Sequence, residues 1–501
     1  MEKSTEKIPL PTINHKQTWW LFLFGFYPFV LWLSHHNFIS HSEFWAIASA
    51  KLFGEISGQS LVLYYKPLFY LTLWPLYLFD LGNSEHILLS RMVYGFIGGI
   101  NMTLMLLNMR WLSRSHRITL FFAFFLISFQ ILTNNFFRVR ADTLSLFFFL
   151  LIFSRINLRW IQKKDPSQSD PWLLLICIGA FATTPKAIYG LVILGLYSIT
   201  LNKESLKSLY KKGEHFAHFL LPVGLALVVG GFLVVTELIS HNPSSMAMRY
   251  HWQSLATLFD ALSWVHIQDS LMINSSNYLI LGCGLTFLWR RRKKGSLYSG
   301  LLILSGTATL VILLHPEKWP YFLATYLPFL CFSLIPFLKW ALRRKVLVGA
   351  LWLSLLFPFF RIGINQWTFP NQRQIDVIEG LERDLKKWAP TKIQYYDSTG
   401  ILPRFDSLMW FLGPNDPQSR SHTIQQLMNV RPEFIFYTAK LRYGRPDLEV
   451  FLIREYVEYS SDYWVRKDYL PLLPEDFKIA KRTPLQYLFI FDFRPEVIRL
   501  F

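Results

Sequence analysis

Residues 278–314 read YLILGCGLTFLWRRRKKGSLYSGLLILSGTATLVILL. The block Tyr278–Trp289 carries no charge and runs into Arg290–Arg291–Arg292–Lys293–Lys294, after which Leu297–Leu314 is again uncharged. A membrane crossing needs about 20 predominantly apolar residues, with a range of about 17–25. The stretch therefore predicts two membrane helices joined by a cationic turn. Working outward, the same pattern recurs at Trp19–Ser34, Leu63–Phe79, Ile87–Met109, Thr119–Thr133, Leu144–Phe153, Trp172–Thr184, Ala187–Leu201, Phe216–Ile239, Tyr321–Leu338 and Val346–Phe360. Several blocks are short, and two pair as halves of broken spans. The expectation is an α-helical polytopic membrane protein with roughly 11–13 transmembrane helices.

Composition agrees. Charged residues are 17 % of the 501 and hydrophobic residues 52 %, against about 25 % charged in a soluble domain. An ordinary soluble fold is disfavoured and disorder is excluded. The net charge of +18 would suggest nucleic acid if it formed one patch. Instead it collects in loops: Arg155–Arg159–Lys163–Lys164, Lys203–Lys207–Lys211–Lys212, Arg290–Lys294 and Arg343–Arg344–Lys345. Cytoplasmic loops carry such an excess, so these loops are placed inside and nucleic acid is not an expected partner. The first block follows Lys3, Lys7 and Lys16 without a small-residue cleavage site, so it is an uncleaved anchor. Arg110–Arg114–Arg117 also asks to be cytoplasmic. That conflicts with two full crossings at 63–79 and 87–109: either one is not a full span, or this loop breaks the rule.

After Phe360 the composition changes. Ile375, Ile378, Leu381, Leu385 and Trp388 recur at helical spacing, which predicts an amphipathic helix. Lys392–Tyr396, Phe434–Tyr437 and Tyr487–Phe491 predict short buried strands. The domain expectation is 1–365 for the membrane part and 366–501 for a small soluble α/β domain outside the cytoplasm. Cys177, Cys283 and Cys331 lie in apolar blocks, with no metal spacing and no disulfide framework.

Charges at membrane depth or at span mouths are costly and default to functional hypotheses. Five such places stand out, most of them on the expected outer side. Loop 35–62 holds Glu43, on a segment 42–54 that can form an amphipathic helix lying on the membrane surface. Glu43 can serve as a general base or cation ligand, or be a solvated loop acid. Lys66, after Tyr64–Tyr65, can bind a lipid phosphate or snorkel to the interface. Arg138, Arg140 and Asp142 lie between apolar blocks; arginine suits bidentate phosphate contacts, although an Arg–Asp pair can simply close a helix mouth. Thr183–Thr184–Pro185–Lys186 splits a long apolar region, as a cavity-lining break or a short outer loop. Last, His315–Pro316–Glu317–Lys318–Trp319–Pro320–Tyr321 gathers proton-transfer and phosphate-binding groups in one outer loop. The sequence carries no P-loop, dinucleotide glycine pattern, zinc motif or nucleophile elbow.

In their order along residues 18–340, these places resemble the motifs of the GT-C superfamily of membrane-embedded glycosyltransferases, which use polyprenyl-phosphate-linked sugars. His41–Ser42–Glu43–Phe44–Trp45, closing at Phe53–Gly54, is similar to the first-loop acidic motif of lipid-linked mannosyltransferases, and His315–Pro316–Glu317–Lys318–Trp319 is similar to their late loop. Lys66–Pro67–Leu68, Arg140–Ala141–Asp142, Thr184–Pro185–Lys186 and Tyr321–Phe322 through Pro328 resemble motifs of aminoarabinose-type and protein-mannosyl relatives. The usual first-loop acid pair is Ser42–Glu43 here, one acid short. A divalent cation is the one cofactor the resemblance brings in, and that missing acid puts its coordination in doubt.

The resemblance implies a GT-C-like fold and an inverting transfer of a hexose or pentose. The donor is a polyprenyl-phosphate sugar, and the acceptor an extracytoplasmic lipid, glycan or protein. Glu43 is the first candidate base and Asp142 the second. Lys66, Arg138, Arg140, Lys186 and Lys318 are candidates to hold phosphate. His315, Glu317 and Tyr321 are candidates to orient substrate. The expected location is the bacterial cell membrane, with membrane lipids around the chain. The rivals are a transporter or flippase of a lipid or glycan precursor, which predicts broken helices in matching halves, and a non-catalytic membrane scaffold.

Overall fold

The computed structural model describes residues 27–36, 39–51, 66–164, 170–184, 186–203, 261–315, 320–368, 371–388, 395–397, 401–403, 407–408, 427–436, 446–460 and 463–472. The protein is mostly helical, with a small sheet near its C-terminal end. In chain order the helices begin with α1 (Tyr27–His36), α2 (His41–Lys51) and α3 (Pro67–Leu73), the last continued by a 3-10 turn Trp74–Leu78. Next come α4 (Asn83–Ser113), α5 (His116–Ser128), α6 (Gln130–Thr133), α7 (Ala141–Ile161), α8 (Pro171–Thr183) and α9 (Ala187–Leu201). The series continues with α10 (Ala261–Ile273), α11 (Ser275–Arg291), α12 (Ser296–Leu314), α13 (Pro320–Cys331), α14 (Leu334–Ala341), α15 (Lys345–Thr368) and α16 (Gln372–Trp388).

The apolar blocks within the described residues all became helices, and Ala187–Leu201 did so residue for residue. Length separates these helices. Among the described residues three, α4, α7 and α12, are long and apolar enough to cross a membrane, and five if two bent pairs each count as one. The bent pairs are Ile267–Ile273 with Ser275–Lys294, at 96°, and Pro320–Cys331 with Leu334–Ala341, at 53°. Among the shorter apolar helices, α5, α8 and α9 hold 13 to 15 residues, about 20–22 Å at 1.5 Å per residue. A bilayer core is about 30 Å thick. The block Phe216–Ile239 lies outside the described residues.

Residues 63–79 bear on the conflict at Arg110–Arg117. Pro67–Leu78 is one seven-residue helix and a 3-10 turn, roughly 20 Å long, so it is not a full span. Lys339 of α14 lies within electrostatic reach of Arg114, which puts the turn after α4 beside the cluster Arg343–Lys345. The helix ends thereby sort into two sets. One is basic. The other carries α2, the start of α4, the loop 134–140 and the start of α16.

Local chemistry fixes several of these ends. Asp170 caps α8 by accepting the Leu173 N–H, and also takes Arg155 and Arg159 at 2.7 and 3.2 Å. Arg114 closes α4 in the left-handed conformation (φ 56°). Between the two sets, a buried polar chain ties three helices: Asn157 donates to Asn108 Oδ1, Tyr197 donates to Asn157 Oδ1, and Asn108 donates to Ser154 Oγ. Around it the main core is aromatic, with Phe153 packed on Tyr197 and Phe332 at centroid distances of 5.2 and 4.7 Å.

The C-terminal sheet is five-stranded, with strands β1 (Tyr395–Asp397), β2 (Ser407–Leu408), β3 (Phe434–Phe436), β4 (Tyr456–Ser460) and β5 (Tyr463–Arg466) in the order β2-β1-β3-β5-β4. β1 pairs parallel with β2 and β3; β5 pairs antiparallel with β3 and β4. A helix α17 (Pro446–Glu455) leads into β4. The expected strands at 392–396 and 434–437 are present in shortened form, and 487–491 lies outside the described residues.

This unit shares a core with the membrane part. Ile375, Ile378, Ile401, Leu402, Phe434 and Val465 pack in one cluster with Ile39, Phe44, Ile47, Val139 and Ala141. Gln374 of α16 clamps the Ile39 backbone, accepting its N–H at 2.8 Å and donating to its carbonyl at 3.0 Å. Glu382 accepts the Asn83 N–H at 3.0 Å, at the first residue of α4. So α2 is not an amphipathic helix lying on a surface: Phe44, Ala46, Ile47, Ala48 and Ala50 are all buried, because α3, α4 and this second core surround it.

Candidate functional site

Three of the five places singled out in sequence meet at the set of helix ends opposite the basic one. Asp142 sits in the first turn of α7, where the helix dipole favours a carboxylate. Arg140 immediately precedes that helix. Its Nε lies 3.6 Å from Asp142 Oδ2 and its guanidinium stacks on the Tyr321 ring at 3.2 Å. That stacking joins the start of α7 to the start of α13. Lys186 precedes α9, and its carbonyl accepts the Tyr326 hydroxyl at 3.3 Å. His315 ends α12 and stacks on Phe322 at 3.7 Å, with Tyr189 edge-on at 5.4 Å. Arg140, Asp142, Lys186, His315 and Tyr321 therefore belong to one constellation built from four helix ends.

A small cleft of about 200 Å³ opens here, lined by Asn135, Phe136, Asp142, Thr143, Leu146, Tyr321, Ala324 and Thr325. Its polar groups mostly accept. The Thr143 hydroxyl donates to the Arg138 carbonyl and the Thr325 hydroxyl to the Tyr321 carbonyl. The Asn135 amide nitrogen donates to the Ile131 carbonyl at 2.7 Å, and its buried Oδ1 has no hydrogen-bond partner. A ligand hydroxyl would find acceptors at Asn135 and Asp142. The enclosed space amounts to about one water molecule, so a sugar ring enters only if the surrounding side chains move.

Glu43 occupies a different environment. Its side chain is fully buried and pairs with the equally buried Arg91 at 3.2 Å. Oε2 also accepts the Ser40 N–H at 2.9 Å, and Oε1 the Val139 N–H at 3.2 Å. Burial pushes the carboxyl up, but Arg91, Arg138 and the two backbone donors outweigh it and hold it below the usual carboxylate range. A carboxylate so buried, with three of its roughly four lone-pair sites taken, is poorly placed to reach a substrate. The geometry makes Glu43 a clamp that ties α2 to α4 and to the segment just before Arg140. The same commitments leave it a poor metal ligand, and Ser42 stands where a second acid would be, so the Ser42–Glu43 motif does not fit a divalent cation. Among the described residues no group of three or more His, Cys, Asp or Glu could hold a metal ion.

The other candidates fall elsewhere. Arg138 is half-buried and donates to the Asn134 carbonyl at 3.1 Å. It adds positive charge near Glu43. Lys66 stands immediately before α3, half-buried, and does not line the cleft. Glu317 and Lys318 lie outside the described residues.

Sequence reasoning passed over Arg91, Asn135, Gln374 and Glu382. Arg91 carried a signal, since an ionisable residue inside the block 87–109 is a functional or structural marker by default. Gly98 is another. A methyl there would overlap the Phe136 carbonyl, so only glycine lets α4 approach the loop that carries Asn135 and Arg138.

Comparison with known proteins returned no match among family models, curated proteins or solved structures.

Proposed function

We propose that the protein is a membrane glycosyltransferase of the GT-C kind. It moves a sugar from a polyprenyl-phosphate donor to an extracytoplasmic lipid, glycan or protein acceptor, with inversion. The observation that carries this reading is the meeting of four helix ends that bear Asp142, Arg140, Tyr321, Lys186 and His315, with Asp142 and Tyr321 lining the cleft between them. A non-catalytic scaffold has no need of it. Large apolar side chains facing outward, among them Leu279, Leu310, Leu353 and Phe357, suit a lipid surround.

In this reaction an acceptor hydroxyl attacks the anomeric carbon, the bond to the phosphate oxygen breaks, and polyprenyl phosphate leaves. Asp142 takes the hydroxyl proton, a step for which a positioned base contributes about 10²–10⁴-fold. Arg140 and Lys186 supply positive charge where the leaving phosphate develops its own. Tyr321 holds the Arg140 guanidinium flat. Glu43 is reassigned from base to positioning residue, acting through Val139 on the Arg140–Asp142 segment. The α16–β5 region would cap the site from outside.

The two bent helix pairs favour a second reading, a transporter or flippase of a lipid-linked precursor, because broken helices frame such sites. Both readings are separated by mass spectrometry of envelope lipids and glycans in a deletion strain complemented with wild type or with Asp142→Asn. Loss of one sugar modification in both the deletion and the Asp142→Asn strains supports transfer. Full complementation by Asp142→Asn removes the proposed base. Accumulation of a complete but misplaced glycolipid favours transport.

A further inference from the structure

The basic set of helix ends contains two kinds of cation. Arg155 and Arg159 are neutralised by Asp170. The runs Arg290–Lys294 and Arg343–Lys345 are not: among the described residues no carboxylate pairs with any of their cations. The two runs end helices that touch. Phe287 of α11 packs on Trp340 of α14 at a centroid distance of 4.8 Å, and Phe337 joins them 5.4 Å from Phe287. Each end carries an arginine over a tryptophan. The Arg292 guanidinium lies 3.9 Å from the Trp289 ring centroid, and that of Arg344 4.7 Å from Trp340. Such stacking occupies the guanidinium face and leaves its N–H edge. Arg292 spends one of those donors on the Trp289 carbonyl, at 2.9 Å. Toward the start of α11, one face of the helix is uncovered. Leu279, Gly282, Thr286 and Trp289 are exposed and follow one another at steps of three or four residues. A methyl at Gly282 would meet no atom within 4 Å. The Thr286 hydroxyl is turned back on the Gly282 carbonyl at 2.9 Å, so the stripe presents no free donor.

An apolar stripe that ends at a fixed, uncompensated arginine offers two chemistries in line. The stripe, with a gap at Gly282, suits an acyl chain. The planar N–H edge of arginine suits phosphate oxygens, and a tryptophan sits naturally at the headgroup level of a membrane. We infer that this face of α11 seats one anionic phospholipid, with its phosphate at Arg292 and the neighbouring Arg290 and a chain along Trp289, Thr286, Gly282 and Leu279. The surrounding cations of both runs favour a net negative headgroup over a zwitterionic one. A soluble anion would leave the apolar stripe uncovered, which is why a lipid is the occupant. The site lies in the basic set of helix ends, apart from the Asp142 cleft, and does not depend on the glycosyltransferase reading.

The test uses the full chain in nanodiscs of phosphatidylcholine with one quarter phosphatidylglycerol, and counts retained lipid by native mass spectrometry. Wild type should retain phosphatidylglycerol in preference to phosphatidylcholine; no preference overturns the inference. Arg290→Gln with Arg292→Gln should lower that retention on the order of tenfold. Lys163→Gln with Lys164→Gln removes two exposed cations of the same basic set, just beyond the end of α7, and should leave it unchanged. Equal loss in both double variants would reduce the effect to diffuse surface attraction and overturn the inference. Gly282→Leu keeps every charge and fills the gap in the stripe. It should lower phosphatidylglycerol retention severalfold, whereas retention equal to wild type would show that no chain lies there and overturn the seated lipid. Millimolar inorganic phosphate should not displace phosphatidylglycerol from wild type; displacement would assign the arginines to free phosphate instead.

Discussion

Glu43 and Asp142 are both acids beside helix starts in the same part of the fold, and three residues of one loop connect their surroundings. Their environments differ in every respect that matters for chemistry. Glu43 is fully buried, paired with Arg91 and bonded to two backbone N–H groups. Asp142 is partly open, lines a cleft and has one longer contact to Arg140. A carboxylate buried on a charged partner and two backbone donors stores stability. One facing a cleft is accessible to a ligand. Sequence reasoning made both of them candidate bases, Glu43 first and Asp142 second; the contrast in surroundings favours Asp142.

The largest expected effect tests the Glu43 half. Glu43→Ala leaves the Arg91 charge buried and alone, a loss of about 3–5 kcal/mol, read as a fall in melting temperature. Glu43→Leu with Arg91→Leu should recover most of it, since removing both partners strands no charge. The pH dependence has a defined sign. The Glu43 carboxyl is held lower in the folded state than in the unfolded chain. Its stabilisation is therefore complete above the ordinary carboxylate range and is lost as pH falls through the folded value. A wild-type melting temperature that drops more steeply in acid than that of the double-leucine variant would show this.

Next comes Asp142→Asn. It should lower transfer by about 10²–10⁴-fold while changing stability by under about 1 kcal/mol, as expected for a partly exposed pair. The reverse pattern, a stability loss with activity kept, would erase the contrast. Gly98→Ala pushes on the Phe136 backbone and should cost about 1–3 kcal/mol, with hydrogen exchange rising at residues 134–142. Gln374→Ala should have an effect of similar size. It strands the Ile39 N–H and carbonyl at a cost of about 1–3 kcal/mol, and should loosen α2 while leaving the basic set of helix ends unchanged in hydrogen exchange.

Much of the helical framework was legible. Ala187–Leu201 coincided with its helix, and Ile375, Ile378 and Leu381 indeed sit on one face of α16 packed into the second core. Two strands were missed although they alternate: Tyr456–Ser460 and Tyr463–Arg466 are rich in aromatic and β-branched residues, a strand signal in its own right. Of the site, the convergence of Arg140, Asp142, Lys186, His315 and Tyr321 followed the ordered motifs. The role of Glu43 did not. Its partner Arg91 lies 48 residues away, and its Val139 contact 96 away, so no local pattern could reveal them.

Sequence alone determined where helices form and which of their ends are basic, because apolar runs and charge clusters act locally and add along the chain. Only the tertiary structure decided which blocks are long enough to cross a membrane, which acid is sealed and which faces a cleft, and that α16 grips the first loop. Those outcomes depend on burial and on partners brought together from distant positions. The free energy of a charge is set by what surrounds it, not by what precedes it in the chain.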